Sequence, residues 1–481
     1  MSGENLPKAK RSAHSADRDR PIMADDLILS RSSQESLDAP GPAATNEPRS
    51  RRLEYLAIDQ IRPNPHYVRK PNRAQRRKLK ASYRRFGENA PVLVNKDFVV
   101  LAGTQRLEVL KELGHTHVWV LVLDHLNSTQ ARAYALADNK IADYNRWDDP
   151  KLAVELKELT GLALDFDIEA TGFETPEIDF RIQSLEENFG DTDDDFDVPT
   201  GPAVSEVGDL WILGDHKIYC GDALQPATYV ALMAGEKASA VFTDPPYNVP
   251  IDGHVGGKGK VRPREFAMAT GEMSVSDFTA FLTTIGIHIC QYTVLGALVY
   301  LCMDWRHMAE ILAAGASCGL ELLNLCIWVK PNGGMGSLYR SRHELVFVFR
   351  NGSEPHRNNV ELGRFGRNRT NVWNYAGANS FARRGTKRGT EMHPTAKPVL
   401  MVSDAILDCT KRNDIVLDVF LGAGATLLAA ERTGRRCYGI ELDPLYVDAA
   451  IERWQRMTGR KAITSFGETF DFVKAKRRPA P

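Results

Sequence analysis

Residues 414–444 read DIVLDVFLGAGATLLAAERTGRRCYGIELDP, and the period of the apolar residues changes twice within them. A short apolar run ends in Asp418, a turn carries Gly422 and Gly424, a helical pattern starts near Ala425, and a second apolar run ends in Glu441 with Asp443 just beyond. Strand, turn, helix and strand in that order describe one crossover unit of a parallel sheet. Glycines at the turn allow left-handed backbone and let a ligand approach closely. An acid ending the second strand can accept hydrogen bonds from ribose hydroxyls, as in dinucleotide folds. The turn lacks the three-glycine dinucleotide pattern, and the chain has no Gly-x4-Gly-Lys-Ser/Thr phosphate loop, although 256–260 reads GGKGK. A triphosphate site is thereby disfavoured.

The alternation extends upstream. KIYCGDA, ASAVFTD, ALVYLC, LLNLCIWVK and HELVFVFR read as further strands, with VSDFTAFLTTIGIHICQYT as a helix among them. The pattern predicts an α/β fold, a Rossmann-like doubly wound parallel sheet with its ligands at the carboxyl ends of the strands. One such end is VFTDPPYNVP, 241–250. Proline fixes φ, and the residue before a proline is biased toward extended backbone. Asp244, Pro245, Pro246 and Tyr247 therefore form a rigid corner that holds a carboxylate, backbone carbonyl oxygens and a ring around one small volume.

The chain has 481 residues, of which 43% are hydrophobic, enough for more than one core. Its formal net charge of -1 conceals segregation, with basic RAQRRKLKASYRR and RRGTKR set against acidic EENFGDTDDDFD. Any surface for a polyanion must be local. Seven cysteines without paired short spacings suggest neither a disulfide framework nor a zinc site, and they fit a reducing compartment, with the cytoplasm as the expectation. No metal is expected, and no uncharged run is long enough to span a bilayer.

Residues 1–50 are polar and aperiodic and are expected to be disordered. Residues 51–145 read as a small α+β domain, with a strand in YLAIDQIRPNP, a basic helix ending at Gly87, two strands in PVLVNKDFVVLAG, a helix TQRLEVLKELG and a strand HVWVLVLD. A helical extension over 146–190 and an acidic linker over 191–203 follow, then the main domain over 204–470 and a basic tail over 471–481. Gly103, followed by a helix carrying Arg106, suits phosphate at a helix amino terminus. Arg364, Arg367, Arg369, Arg383 and Arg384 lie in a segment rich in Arg, Asn and Gly, Gly352 to Met392, and are expected to meet DNA.

FLGAGAT, 420–426, resembles the Phe-x-Gly-x-Gly motif of S-adenosylmethionine-dependent DNA methyltransferases, and DPPY resembles their catalytic motif. The catalytic motif precedes the cofactor motif, as in the circularly permuted beta class, and HPTAKP, 393–398, is similar to the segment that precedes the glycine turn there. The resemblance spans about Val204 to Arg456. It implies S-adenosylmethionine as cofactor, with Asp222, Lys397, Asp418, Phe420, Gly422, Gly424, Glu441 and Asp443 as binding residues, and double-stranded DNA as substrate. Asp at the first motif position implies transfer to the N6 amine of adenine. N4 of cytosine, RNA modification and a catalytically inactive DNA clamp are the competing readings, and a homodimer stays open.

The resemblance also implies how Asp244 and the carbonyl of Pro245 would accept the two amine hydrogens while Tyr247 stacks on a base flipped out of the duplex. IRPNPHYVRK with VLAGTQRLEVLKELG is similar to the amino-terminal domain of ParB-like partition proteins, a module of ParB and sulfiredoxin-like type. Gly103 and Arg106 match its Gly-x-x-Arg core, but the adjoining basic residues are absent, which leaves nucleotide hydrolysis and nuclease activity outside what the resemblance implies. Every residue assigned to chemistry lies beyond the linker, so the chain from Pro199 onward is expected to fold and act alone.

Overall fold

A computed structural model describes residues 51–478, apart from 71, 143–146, 163, 186–195, 197, 200, 250–270, 332, 334–337 and 377–396. The amino-terminal part contains β1 (Arg52–Ala57), α1 (Arg73–Phe86), β2 (Val92–Val94), β3 (Val100–Ala102), α2 (Thr104–Glu112) and β4 (His117–Val122). Its sheet runs β1-β4-β2-β3, and Val92, Val94, Val118, Val120 and Val122 turn one face into a core with Leu107 and Leu110 of α2. Helix α1 ends where Gly87 takes a positive φ of 77°, so the glycine stop read from the sequence holds. Three helices follow: α3 (Ser128–Ala142), α4 (Asp149–Gly161) and α5 (Thr175–Ser184).

The second sheet is built from β5 (Leu210–Leu213), β6 (His216–Cys220), β7 (Ala238–Thr243), β8 (Thr293–Met303), β9 (Leu320–Val329), β10 (His343–Asn351), β11 (Val372–Asn374), β12 (Ile415–Asp418), β13 (Arg436–Glu441) and β14 (Ile463–Thr464). Its helices are α6 (Pro226–Met233), α7 (Val275–Tyr292), α8 (Met308–Cys318), α9 (Val399–Cys409), α10 (Ala425–Thr433), α11 (Pro444–Thr458) and α12 (Phe470–Arg477). The strand order is β11-β9-β10-β8-β7-β12-β13-β6-β5-β14. Apolar cores cover both faces, one built around Trp211, Ile406, Leu428 and Trp454, the other around Phe278, Ile285, Phe347 and Phe349. This is the doubly wound sheet that the alternation predicts.

It is not wholly parallel. Strands β8, β7, β12, β13 and β6 run parallel, but β10 is antiparallel to β8 and β9, and β5 is antiparallel to β6 and β14. Strand β10 follows β9 in the chain and pairs with it antiparallel, His343 opposite Val329 and Asn351 opposite Leu320, so the two strands form a hairpin. The expected basic tail also differs, because its first residues belong to α12, where Phe470 and Val473 are buried and Arg477 bonds to Asp209.

The amino-terminal helices and the large sheet belong to one compact unit, Arg52–Pro481. Helix α5 rests against α9, and Asp179, 4% exposed, pairs with Arg435 at 2.8 Å and Arg412 at 3.1 Å. Gln183 accepts from Arg367 at 3.0 Å, and Lys411 reaches Glu169 at 3.3 Å. Within the acidic segment, Phe196 is buried under the guanidinium of Arg453, 4.2 Å from its ring centre. Starting the chain at Pro199 would take Asp179 away from Arg435, so the two halves are not the independent pieces that the linker suggests. Breaking a buried ion pair from one side costs about 3–5 kcal/mol. Asp179→Ala is expected to lose on the order of 3 kcal/mol in urea unfolding, and a loss near zero would show that the docking does not rest on this pair.

Candidate active site

Strands β7 and β12 lie side by side and parallel, although 175 residues separate Thr243 from Asp418. Their carboxyl ends therefore carry the proline corner and the glycine turn on one edge of the sheet. The hydroxyl of Thr243 donates to Asp418 Oδ1 at 2.7 Å, that of Thr426 donates to Oδ2 at 2.6 Å, and the backbone N–H of Phe420 donates to Oδ1 at 3.1 Å. Burial raises the carboxyl of Asp418 to about 6 against these donors. Asp418, expected as a cofactor contact, braces the two loops by accepting these three hydrogen bonds.

In the turn, Gly422 has φ +53° and Gly424 φ +84°. A Cβ on Gly424 would stand 2.9 Å from Cβ of Ala450, whereas one on Gly422 would meet nothing within 4 Å. Gly424 thus serves close helix packing, and Gly422 borders open space. Glu441 Oε2 accepts from the N–H of Gly422 and Oε1 from that of Asp443, both at 2.8 Å. Burial pushes the Glu441 carboxyl up to about 7, opposed by these two donors. Asp443 caps α11 through the N–H of Leu445, and Phe420 packs on Phe281 with ring centres 6.0 Å apart. Asp222 stands at the carboxyl end of β6, where Oδ1 accepts from the N–H of Leu224 at 2.8 Å and Oδ2 from Gln225 at 3.3 Å.

At the proline corner, Asp244 Oδ1 accepts from the hydroxyl of Tyr247 at 2.7 Å, and Oδ2 from Lys397 Nζ at 2.5 Å. Lys397 also reaches Glu344 at 3.1 Å, and Lys330 bonds to the same Glu344 carboxylate. The four charged groups come from the ends of β7, β9 and β10 and the start of α9. Burial raises the Asp244 carboxyl, with Lys397 opposing. Burial would raise Glu344 too, but the two lysines hold it down at about 2. Burial works against the Lys397 ammonium, yet Asp244 and Glu344 keep its pKa above the ordinary lysine value. Lys397, expected at the cofactor, pairs in the structure with Asp244 and Glu344. Glu344 and Lys330 were not singled out from the sequence, where a charge opening an apolar strand is the signal that marks Glu344.

The arginines divide. Arg367, 6% exposed, and Arg369 turn inward onto Asp404 and Asp408, at 2.8 to 3.2 Å, and Arg369 also reaches the hydroxyl of Tyr375. Both guanidiniums are engaged by the half-buried Asp404 and Asp408 of α9. Arg364 is exposed and pairs with Glu361 and Glu174, while Arg383 and Arg384 lie outside the described residues. In the amino-terminal domain Gly103 has φ +96° and caps α2, as a phosphate turn requires, but Arg106 folds back to donate to the carbonyl of Pro91 at 3.1 Å. Among the described residues no cluster of His, Cys, Asp and Glu has a metal-binding arrangement, and no helix is long and apolar enough to cross a membrane.

Residues 238–452 match the family described as DNA methylase, residues 150–207 the ParB-methyltransferase HTH domain and residues 43–140 the ParB N-terminal domain. The Type II methyltransferase M.HinfI of Haemophilus influenzae is 25% identical over 256 residues, 50% of this chain and 68% of that protein. The putative methylase YubD of Escherichia coli K12 is 26% identical over 224 residues, 47% of this chain and 85% of that protein. The solved PvuII DNA methyltransferase (cytosine-N4-specific) is 17% identical with a TM-score of 0.39, over 52% of this chain and 90% of that one. The proline corner, glycine turn and closing acid all fall inside the methylase match. Residues 238–452 are thus similar to a DNA-methylase family, and the segments before them are similar to families of ParB type.

Proposed function

We propose that the chain transfers a methyl group from S-adenosylmethionine to the exocyclic N6 amine of adenine in double-stranded DNA. The observation that carries this reading is the Thr243–Asp418 bond, which holds the Asp244 corner against the Gly422 turn. The cofactor supplies an electrophilic methyl group on a positively charged sulfur. The open space at Gly422 and the Glu441 carboxylate at its side fit the adenosyl part of such a molecule, the carboxylate accepting from ribose hydroxyls.

An exocyclic amine is a poor nucleophile because its lone pair is delocalised into the ring. An ionised carboxylate offers about four lone-pair sites. Tyr247 and Lys397 use one each on Asp244, so sites remain for an amine hydrogen. With the carbonyl of Pro245 taking the second hydrogen, the nitrogen can pyramidalise and present its lone pair to the methyl carbon. A new N–C bond forms as the S–C bond breaks, and the extra proton on nitrogen passes to Asp244 and then to solvent. Lys397 and Glu344 hold the carboxylate in place before the base arrives, which is preorganisation of the acceptor. Aspartate at this corner favours adenine, and mass spectrometry of nucleosides from methylated DNA separates N6-methyladenine from N4-methylcytosine.

Asp244→Ala is expected to lower kcat about a hundredfold or more while leaving cofactor affinity nearly unchanged. Turnover close to that of the unaltered chain would remove Asp244 from the chemistry. Ribose hydroxyls bind the ionised form of Glu441, so affinity for S-adenosylmethionine should rise with pH up to about 7 and then level off. Glu441→Gln should bind more weakly and lose that dependence, as read by titration calorimetry across the neutral range. The two glycines separate packing from binding. Gly424→Ala forces a clash and is expected to lose about 1–3 kcal/mol of stability. Gly422→Ala should lose only about 1 kcal/mol from its backbone conformation, yet bind cofactor poorly, which thermal melts with and without cofactor distinguish.

A further inference from the structure

Arg367 and Arg369 face inward, so among the described residues other cations on the site edge are the candidates to meet DNA. The β9–β10 hairpin is placed there. Leu345 of β10 pairs with Met303 of β8, and Leu301 of β8 pairs with Thr243 of β7, so the hairpin turn leaves the sheet at the same edge as Asp244. The backbone N–H of Lys330 donates to the carbonyl of Arg342 at 2.7 Å, and Arg342 Nε donates to that of Lys330 at 3.1 Å, which closes the base of the turn. Two residues further along, Glu344 enters the catalytic charge cluster. The base of the turn, at Lys330 and Arg342, is thereby tied to the strand that carries Glu344.

On this turn Leu338 is 83% and Tyr339 85% exposed, two adjacent large apolar side chains in water, followed by exposed Arg340 and Arg342. Arg340 also donates to the carbonyl of Gly333 at 3.0 Å, across the turn. Leu362 and Phe466 are as exposed, but neither adjoins a second such side chain or the charge cluster. We propose, building on the base-methylation reading, that Leu338 and Tyr339 enter the duplex at the position vacated by the target base, with Arg340 and Arg342 on the flanking phosphates. Extracting a base leaves a gap between stacked neighbours, and a side chain that fills it offsets the lost stacking. The arginines match the charge of the strand on either side.

The test uses the full chain carrying Leu338→Ala with Tyr339→Ala, and DNA of the sequence that the unaltered chain modifies in cells. Methyl transfer is measured on the paired duplex and on a duplex whose target base faces an abasic site, where extraction is already cheap. The double variant is expected to lose about tenfold in kcat/KM on the paired duplex and little on the other, with cofactor affinity unchanged. A parallel fluorescence measurement with 2-aminopurine at the target should show less extrusion from the paired duplex. Equal losses on both duplexes, or no loss on either, would overturn the wedge and leave the methylation reading intact. Absence of transfer by the unaltered chain to either duplex would overturn that reading, and the wedge with it.

Discussion

The buried carboxylate of Asp418, gripped by Thr243 on one side and Thr426 on the other, sets the distance between the two halves of the site. One hydroxyl belongs to the last residue of β7 and the other to the first turn of α10, so a single side chain ties the proline corner to the glycine turn. Burial raises this carboxyl to about 6, and the donors around it oppose that shift. A buried polar group is tolerated when its hydrogen bonds are made, and here they are made by the very elements that must be held in register. The order of β7 and β12 in the sheet then decides the rest, because adjacent parallel strands deliver their following loops to one place.

The second constraint is charge balance. Asp244 and Glu344 face Lys330 and Lys397, two acids and two bases in a region with limited access to water. Any one of these charges buried alone would be costly, and together they hold one another in fixed positions. Tyr247 adds its hydroxyl to Asp244, so its ring is oriented by the same carboxylate that would receive the amine. An acceptor held in this way need not reorganise when a base arrives.

A third set of charges serves docking. Asp179 on α5 engages Arg435 and Arg412, and Gln183 engages Arg367, so the helices that follow the first sheet are fastened to the second. Arg435 immediately precedes β13, the strand that ends in Glu441. The docking contact of Arg435 and the Glu441 carboxylate therefore stand at opposite ends of one strand. The arginines that a charge pattern assigns to DNA are in part the ones used for this fastening, together with Asp404 and Asp408 on α9.

The fold class was legible in the sequence because strand and helix periods differ, and because the turn at Gly422 and the acid at Glu441 lie within one crossover unit. The proline corner was legible because Asp244 to Tyr247 are consecutive, and the prolines restrain the backbone of their own neighbours whatever packs beside them. What the sequence left open are relations between distant residues. Nothing in HELVFVFR says that Glu344 will meet a lysine 53 positions later, and no local pattern says that Lys397 will turn to Asp244 or that Asp418 will face Thr243. The direction of β10 likewise follows from a hairpin that no local pattern distinguishes from a crossover. Local backbone preference and apolar period are written into neighbouring residues, whereas the partner of a buried charge is chosen only when strands take their places in the sheet.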